Sequence, residues 1–372
     1  MLKHEEWINE AWEKIDKKLS KTAVKSFKKI PYTTINGVHD NKMETDKSYW
    51  TNGFWPALMM LMYMGTNKEQ YLKTARNAMD MLDAALYTYE GLHHDVGFMW
   101  NISSGTDYRF TGDDIERNRF LVAANHLMGR YNCEADFICA WNGAENKGVA
   151  IIDCMMNIPL LFRASEETGD ERFAMAACRH ANKTMKYHVR ADGSCRHINE
   201  YDPLTGNLVK ERGGQGYKEG SAWSRGQAWG LYGFALAYKH TKNTAYLDTA
   251  KKIAHYFIAN IMRTDYLTLC DFRQPAEPVI YDSTAGVCAA CGLLEIAQNA
   301  EDTEKDLYRD AAIRLLKAEY ENWCDWSKTE DSILQMGTES YNNGIHIPII
   351  YGDYFFAEGI YRLKGFDTSI LW

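Results

Sequence analysis

Two kinds of helix alternate along this chain, and that alternation constrains its fold more than any other feature. Residues 54–64, 157–165, 227–238, 284–298 and 351–363 read as apolar helices of the kind a protein buries. Residues 5–29, 70–87, 113–130, 171–188, 245–261 and 304–323 read as amphipathic helices with one polar face. Short turns link the two kinds. Gly65-Thr66-Asn67-Lys68-Glu69, Thr168-Gly169-Asp170-Glu171, Thr241-Lys242-Asn243-Thr244 and Glu301-Asp302-Thr303-Glu304 each place a turn or capping residue ahead of an Ala-containing helix. A buried helix followed by a half-exposed one, repeated, describes a closed two-layer toroid of helices. The pattern yields about eleven helices, close to the twelve of an (α/α)6 barrel. An open helical solenoid is the alternative, but it has no need of the long connections at 88–111, 133–149, 189–221 and 263–283, and connections of that length usually carry function.

No Gly/Ser/Pro-rich linker divides the 372 residues, so one domain over residues 1–372 is expected. The net charge of −8 argues against a nucleic-acid partner, and an anionic ligand would need a local basic patch. The basic run Lys17, Lys18, Lys21, Lys25, Lys28 and Lys29 reads as a solvated helix face. The nine cysteines are scattered, and Cys288-Ala289-Ala290-Cys291 stands without a second pair, so neither a zinc site nor a disulfide framework is expected. Residues 1–7 open an amphipathic helix rather than a signal peptide, and no apolar run reaches membrane-spanning length. A reduced cytoplasm with no membrane association is the expectation.

Two carboxylates sit in apolar company. Asp95 lies in Leu92-His93-His94-Asp95-Val96-Gly97-Phe98, and Asp153 lies in Ile151-Ile152-Asp153-Cys154-Met155-Met156-Asn157. Burying ionised carboxylates is costly, and a pair in such settings suggests acid/base chemistry. Burial and a second carboxylate would raise the pKa of Asp153, whereas a helix N-terminus would act the other way. Trp50 lies six residues before Pro56 and Asp153 six before Pro159, which puts both at the mouths of apolar helices. His93, His94 and Asp95 could ligate a metal, but adjacent residues rarely point at one ion, so no metal is expected. The glycine-rich run from Gly213 to Gly230 fits neither a P-loop nor a dinucleotide fingerprint. Within it Trp223 and Trp229 could stack on sugar rings, while Gln215 and Arg225 could bind hydroxyls or a carboxylate. His197 lies on the long connection before it.

These residues resemble glycoside hydrolase family 88, the unsaturated glucuronyl hydrolases, over most of the chain. The resemblance rests on Trp50-Thr51-Asn52-Gly53-Phe54-Trp55, on His93-His94-Asp95-Val96-Gly97-Phe98, on Ile152-Asp153-Cys154-Met155-Met156-Asn157 and on Ser224-Arg225-Gly226-Gln227-Ala228-Trp229-Gly230. The unsaturated rhamnogalacturonyl hydrolases, a sister family, match the arginine run less closely. The resemblance implies an (α/α)6 barrel and a substrate with a 4,5-unsaturated uronic acid at its non-reducing end, left by a polysaccharide lyase. It implies hydration of the double bond, with no cofactor. Asp153 would be the general acid/base and Asp95 the second carboxylate, which orients the sugar and tunes Asp153. Trp50, His94, His197, Gln215, Trp223, Arg225 and Trp229 would be substrate-site positions. The sequence departs from family members at Asn52, where an Asp is common. It also departs at residues 344–350, which lack the Ser/Lys pattern associated with sulfate recognition in some members.

Overall fold

The structure, a computed structural model, describes residues 2–88 and 91–372 and side chains from residue 5 onward; Met1 and residues 89–90 of the connection read at 88–111 lie outside the described residues. Its helices in chain order are α1 (Leu2–Lys25), α2 (Lys42–Thr45), α3 (Phe54–Thr66), α4 (Glu69–Leu86), α5 (Val96–Trp100), α6 (Ser104–Thr111), α7 (Asp114–Met128), α8 (Pro159–Thr168), α9 (Glu171–Tyr187), α10 (Ser224–Thr241), α11 (Thr244–Ile261), α12 (Ser283–Asn299), α13 (Lys305–Asn322) and α14 (Ile350–Leu363). The inner ring is α3, the broken pair α5–α6, α8, α10, α12 and α14, and the outer ring is α4, α7, α9, α11, α13 and α1. This is the (α/α)6 barrel. Every residue of α12 from Ser283 to Ile296 is buried, as an all-round apolar helix demands, whereas α9 buries only Phe173, Ala176, Ala177, His180, Ala181 and Thr184.

Four of the six hairpins share one turn. The inner helix ends on Thr66, Thr111, Thr168 or Thr241, and each hydroxyl donates to the carbonyl four residues back, at 2.6–2.9 Å. The next residue, Asn67, Gly112, Gly169 or Lys242, takes a left-handed conformation, and the outer helix starts two residues later. The capping expectation holds at Asp170 and Asn243, whose side chains accept the N–H of Arg172 and Ala245. It fails at α4 and α13, where Lys68 and Glu304 make no side-chain cap.

The main correction concerns residues 88–111. They are not a plain connection but contain the sixth inner helix, broken between α5 and α6 at Asn101–Ser103, where Ser103 leaves helical geometry. Neither piece is long enough to show periodicity. Asp95 therefore does not sit on a long loop; it is the residue before α5, at the mouth of an inner helix.

The opposite end of the inner ring is closed by Trp372, which is fully buried and stacks on Phe355 at 6.0 Å. Its indole N–H donates to Glu358, and Arg362 joins Glu358, Glu295 and the Tyr232 hydroxyl in a buried network. Among the described residues no helix is long and apolar enough to cross a membrane. All nine cysteines are free thiols.

Candidate active site

The site forms where the N-terminal ends of the inner helices meet. A three-stranded antiparallel sheet brings two parts of it together. Val149–Ile151 pairs with Ile198–Tyr201, which pairs with Leu208–Arg212. The Ile152 N–H donates to the His197 carbonyl at 3.0 Å, so the ladder carries His197 alongside the turn that holds Asp153. Trp50 and Asp153 occupy equivalent places, in 3-10 turns (Trp50–Gly53 and Ile152–Met156) that lead into α3 and towards α8.

Asn157, which the sequence reading left without a role, ties the two carboxylates. Its side-chain NH2 donates to Asp95 Oδ1 at 2.9 Å and to the Asp153 carbonyl at 3.1 Å, and its oxygen accepts the Phe98 N–H at 2.8 Å. The backbones approach closely here: a Cβ on Gly97 would fall 2.6 Å from Asn157 Cα, so only glycine fits. Replacing Asn157 with Ala removes the hydrogen bonds to the Asp95 carboxyl and the Asp153 carbonyl and leaves the buried Phe98 N–H with only the Asp95 carbonyl, at 3.0 Å. We expect a cost of about 1–3 kcal/mol in stability and a further rise in the Asp95 pKa, because a hydrogen bond that favours its anion is lost. Thermal unfolding and a pH titration of the two carboxyls check both.

Both carboxylates are largely buried, with side chains 17% exposed at Asp153 and 11% at Asp95. Burial pushes the Asp153 pKa up to about 7, while the Arg225 charge pulls it down. Burial, followed by the charge of Asp153, pushes Asp95 well above the ordinary range, and the Asn157 hydrogen bond opposes this. The sequence reading had the Asp95 anion raising Asp153. In the structure burial does that, and the mutual repulsion falls on Asp95. The two titrate as a unit that retains a proton near neutrality.

Asp153 Oδ1 is buried with no hydrogen-bond partner among the described residues. His197 Nε2 faces it at 3.7 Å. Burial, aided by the nearby Arg225 charge, lowers the His197 pKa to about 3, so the ring is neutral. Its Nδ1 accepts the Gln215 N–H at 3.2 Å, which places the ring proton on Nε2, towards Asp153. Gly214 permits this contact, since a Cβ there would lie 2.0 Å from Nδ1.

His93 Nδ1 lies 3.3 Å from Asp95 Oδ2, and His94 Nε2 lies 3.4 Å from Asp95 Oδ1. One ligand atom from each of the three falls within 4.8 Å of the others. The expectation that these neighbours point apart is therefore corrected: the turn at His94–Asp95 folds the three side chains to one side.

The substrate-site residues expected from sequence divide in two. Trp50, His197 and Gln215 keep part of their surface accessible. His94, Trp223, Arg225 and Trp229 are buried and support the site from behind. Trp229 lies in an aromatic floor, 5.1 Å from Phe98 and 5.7 Å from Phe355, with no ring face open to a ligand. Trp223 packs against the His197 ring at 4.2 Å, and Arg225 lies over Trp223 at 4.5 Å. Arg225 is paired with Asp282, the residue that caps α12, and donates to the Thr338 and Glu339 carbonyls at 2.6 and 2.7 Å. Gln215 Nε2 donates to the same Glu339 carbonyl at 2.7 Å. Tyr32, Tyr49 and Tyr351 were not singled out from sequence. They add to an aromatic wall with Trp50, in which Trp50 meets Tyr351 at 5.2 Å and Tyr32 meets Tyr49 at 5.3 Å.

The sequence of residues 17–275 matches the model of glycosyl hydrolase family 88. The chain belongs to that family. It is 37% identical over 329 residues to the unsaturated glucuronyl hydrolase of Bacillus sp. (strain GL1), covering 86% of this chain and 87% of that protein. It is 33% identical over 337 residues to the unsaturated chondroitin disaccharide hydrolase of Streptococcus pneumoniae, covering 88% and 84%. The crystal structure of the Bacillus sp. GL1 enzyme superposes with a TM-score of 0.90 at 34% identity, covering 95% of this chain and 97% of that one. This family 88 chain is a glycoside hydrolase, and the barrel read from its helix alternation is the fold of its relatives.

Proposed function

We propose that this enzyme removes the 4,5-unsaturated uronic acid from the non-reducing end of lyase-generated oligosaccharides, by hydrating the double bond rather than by attack at the anomeric carbon. The observation that carries the reading is the buried Asp153 carboxyl, with a raised pKa and one oxygen free of any hydrogen bond among the described residues. Relatives named for unsaturated glucuronyl and unsaturated chondroitin disaccharide substrates support the substrate class.

An enol ether reacts by protonation at carbon, which needs an acid that still holds its proton near neutrality. Asp153 delivers a proton to C4, and the positive charge that develops is shared by C5 and the ring oxygen. The Asp153 carboxylate then takes a proton from water as the water oxygen bonds to C5. The C5 hemiketal opens to a ketone, leaving a hemiacetal at C1 that collapses and releases the next sugar. Asp153 regains its proton in the second step, so one water is consumed and no cofactor is required. Asp95 orients the sugar and, through its coupling to Asp153, sets the steps in which the pair titrates. His197 Nε2–H is placed to hydrogen-bond the substrate or the Asp153 carboxylate, while Trp50 and Gln215 offer a stacking face and an amide.

The proton on Asp153 is the reactive one, so kcat is expected to fall about tenfold per pH unit above an apparent pKa near 7. Loss of the ultraviolet absorbance of an unsaturated glycosaminoglycan disaccharide measures this. Turnover that rises steadily from pH 7 to 9 would contradict the role given to Asp153.

A further inference from the structure

The lysine run near the N-terminus is a solvated face at Lys17, Lys21, Lys25 and Lys28, but not at Lys18. Lys18 is only 8% exposed, and its ammonium donates to the Asp325 carbonyl at 2.6 Å. Lys14, Lys17, Lys21 and Lys25 fall three or four residues apart along α1, with Lys18 beside them, on the stripe that faces residues 326–331. Between that stripe and the 326–331 segment lies a groove of about 390 Å³, within the range of small-ligand sites. Lys328 and Trp326 form its other wall. The lining carries six lysines against two carboxylates, Glu330 and Asp331, in a chain whose net charge is −8.

Part of this charge is already matched. Lys25 pairs with Asp331 at 2.7 Å and Lys14 with Glu10 at 2.7 Å. Among the described residues the ammonium groups of Lys17, Lys21 and Lys328 have no hydrogen-bond or ion-pair partner, and all three residues are exposed. Among the described residues Lys18 has a backbone carbonyl but no carboxylate within ion-pair distance. Burial disfavours its charge, the carboxylates of Asp353, Asp325, Glu330 and Asp331 oppose that from further away, and an anion in the groove would add to their effect. The wall is also aromatic: Trp326 is half-buried against Tyr320 at 5.9 Å and keeps an accessible edge in the groove.

We infer that this groove is a second binding site, for an anionic oligosaccharide whose carboxylate or sulfate groups meet Lys17, Lys18, Lys21 and Lys328 while a sugar ring packs on Trp326. The site lies on outer helix α1 and is separate from the inner-helix mouths that hold Asp95 and Asp153. Its preference for anions rests on the groove alone. The choice of a saccharide over another polyanion rests on the proposed function, since the field of a net-acidic chain disfavours both alike away from the groove. Such a site would hold a longer glycan on the enzyme while its non-reducing end is processed.

Titration calorimetry of the full chain with a saturated chondroitin sulfate hexasaccharide tests this, since that probe has no double bond to hydrate. Binding is expected to weaken as salt is raised. The triple variant Lys17→Ala, Lys21→Ala, Lys328→Ala is expected to lose roughly tenfold or more in affinity, and Trp326→Ala to weaken binding as well. The same triple variant should hydrolyse an unsaturated disaccharide with kcat and KM unchanged. Undetectable binding by the wild-type chain, or equal binding by the triple variant, overturns the site. Equal affinity for a neutral maltohexaose overturns the anion preference. Tighter binding of a single-stranded oligonucleotide of equal charge, or no effect of Trp326→Ala, overturns the saccharide. Wild-type protein that binds the hexasaccharide but leaves the disaccharide intact would refute the proposed function and not the groove.

Discussion

Asp153→Asn is expected to lower kcat on an unsaturated disaccharide by a factor of about 10³ or more, near the upper range for removing a general acid. An amide has nearly the shape of the carboxyl but can neither protonate C4 nor accept the proton of the attacking water, so both chemical steps fail together. KM should change little, because the groups that offer contacts to the sugar stay in place. The fold should gain stability. The folded-state pKa of Asp153 is raised, to about 7, from an ordinary value of 3.8. Between those values the folded chain binds more protons than the unfolded one, so stability declines as pH rises through that window. At pH 8 the wild type carries this penalty in full and Asp153→Asn does not. The variant should therefore melt a few degrees higher at pH 8, with the gap narrowing below pH 4. A variant that is inactive because it has unfolded would show the reverse order.

Arg225→Met is expected to destabilise the protein by about 3–5 kcal/mol, because it leaves Asp282 buried without its counter-charge. Burial alone would lower the Arg225 pKa, but Asp282 together with Tyr351, Cys270 and Tyr32 more than offsets that and keeps the guanidinium charged. Asp282 also accepts the N–H groups of Thr284 and Thr338, so its disturbance reaches the start of α12 and the 338–341 segment that holds Gln215. The melting temperature should drop by roughly 5–10 °C. Arg225→Met combined with Asp282→Asn should recover part of that loss, since the uncompensated charge is gone. The single variant should also shift the alkaline limb of the rate profile upward, because Arg225 holds the Asp153 pKa down. A melting temperature unchanged in Arg225→Met would rule out the pairing as a structural element.

The barrel was legible in the sequence because eleven of its helices are long enough to display a period. The twelfth was hidden by its break at Asn101–Ser103. A signal for it existed: Thr111-Gly112-Asp113-Asp114 repeats the Thr168-Gly169-Asp170-Glu171 turn, and such a turn follows an inner helix wherever it occurs. Seeing it would also have moved Asp95 from a loop to a helix mouth. Asn157 was reachable from Asp153 by its four-residue spacing, which brings its amide back to the Asp153 carbonyl. The Arg225–Asp282 pair and the approach of His197 were not reachable. The first joins residues on two different inner helices, and the second depends on strand pairing between 149–151 and 198–201. Residue type indicated that Trp229, Trp223 and Arg225 matter, but only packing separates a ring that could face a sugar from one that forms the floor beneath it.

Proton transfer from Asp153 to C4 is the central claim, and turnover of an unsaturated disaccharide in D2O, with early products read by NMR, tests it most directly. The expected result is one deuteron at C4, on a single face, in a released sugar that has lost its double bond, with none formed by Asp153→Asn. A released uronate that keeps its double bond and carries no deuterium at C4 would contradict it.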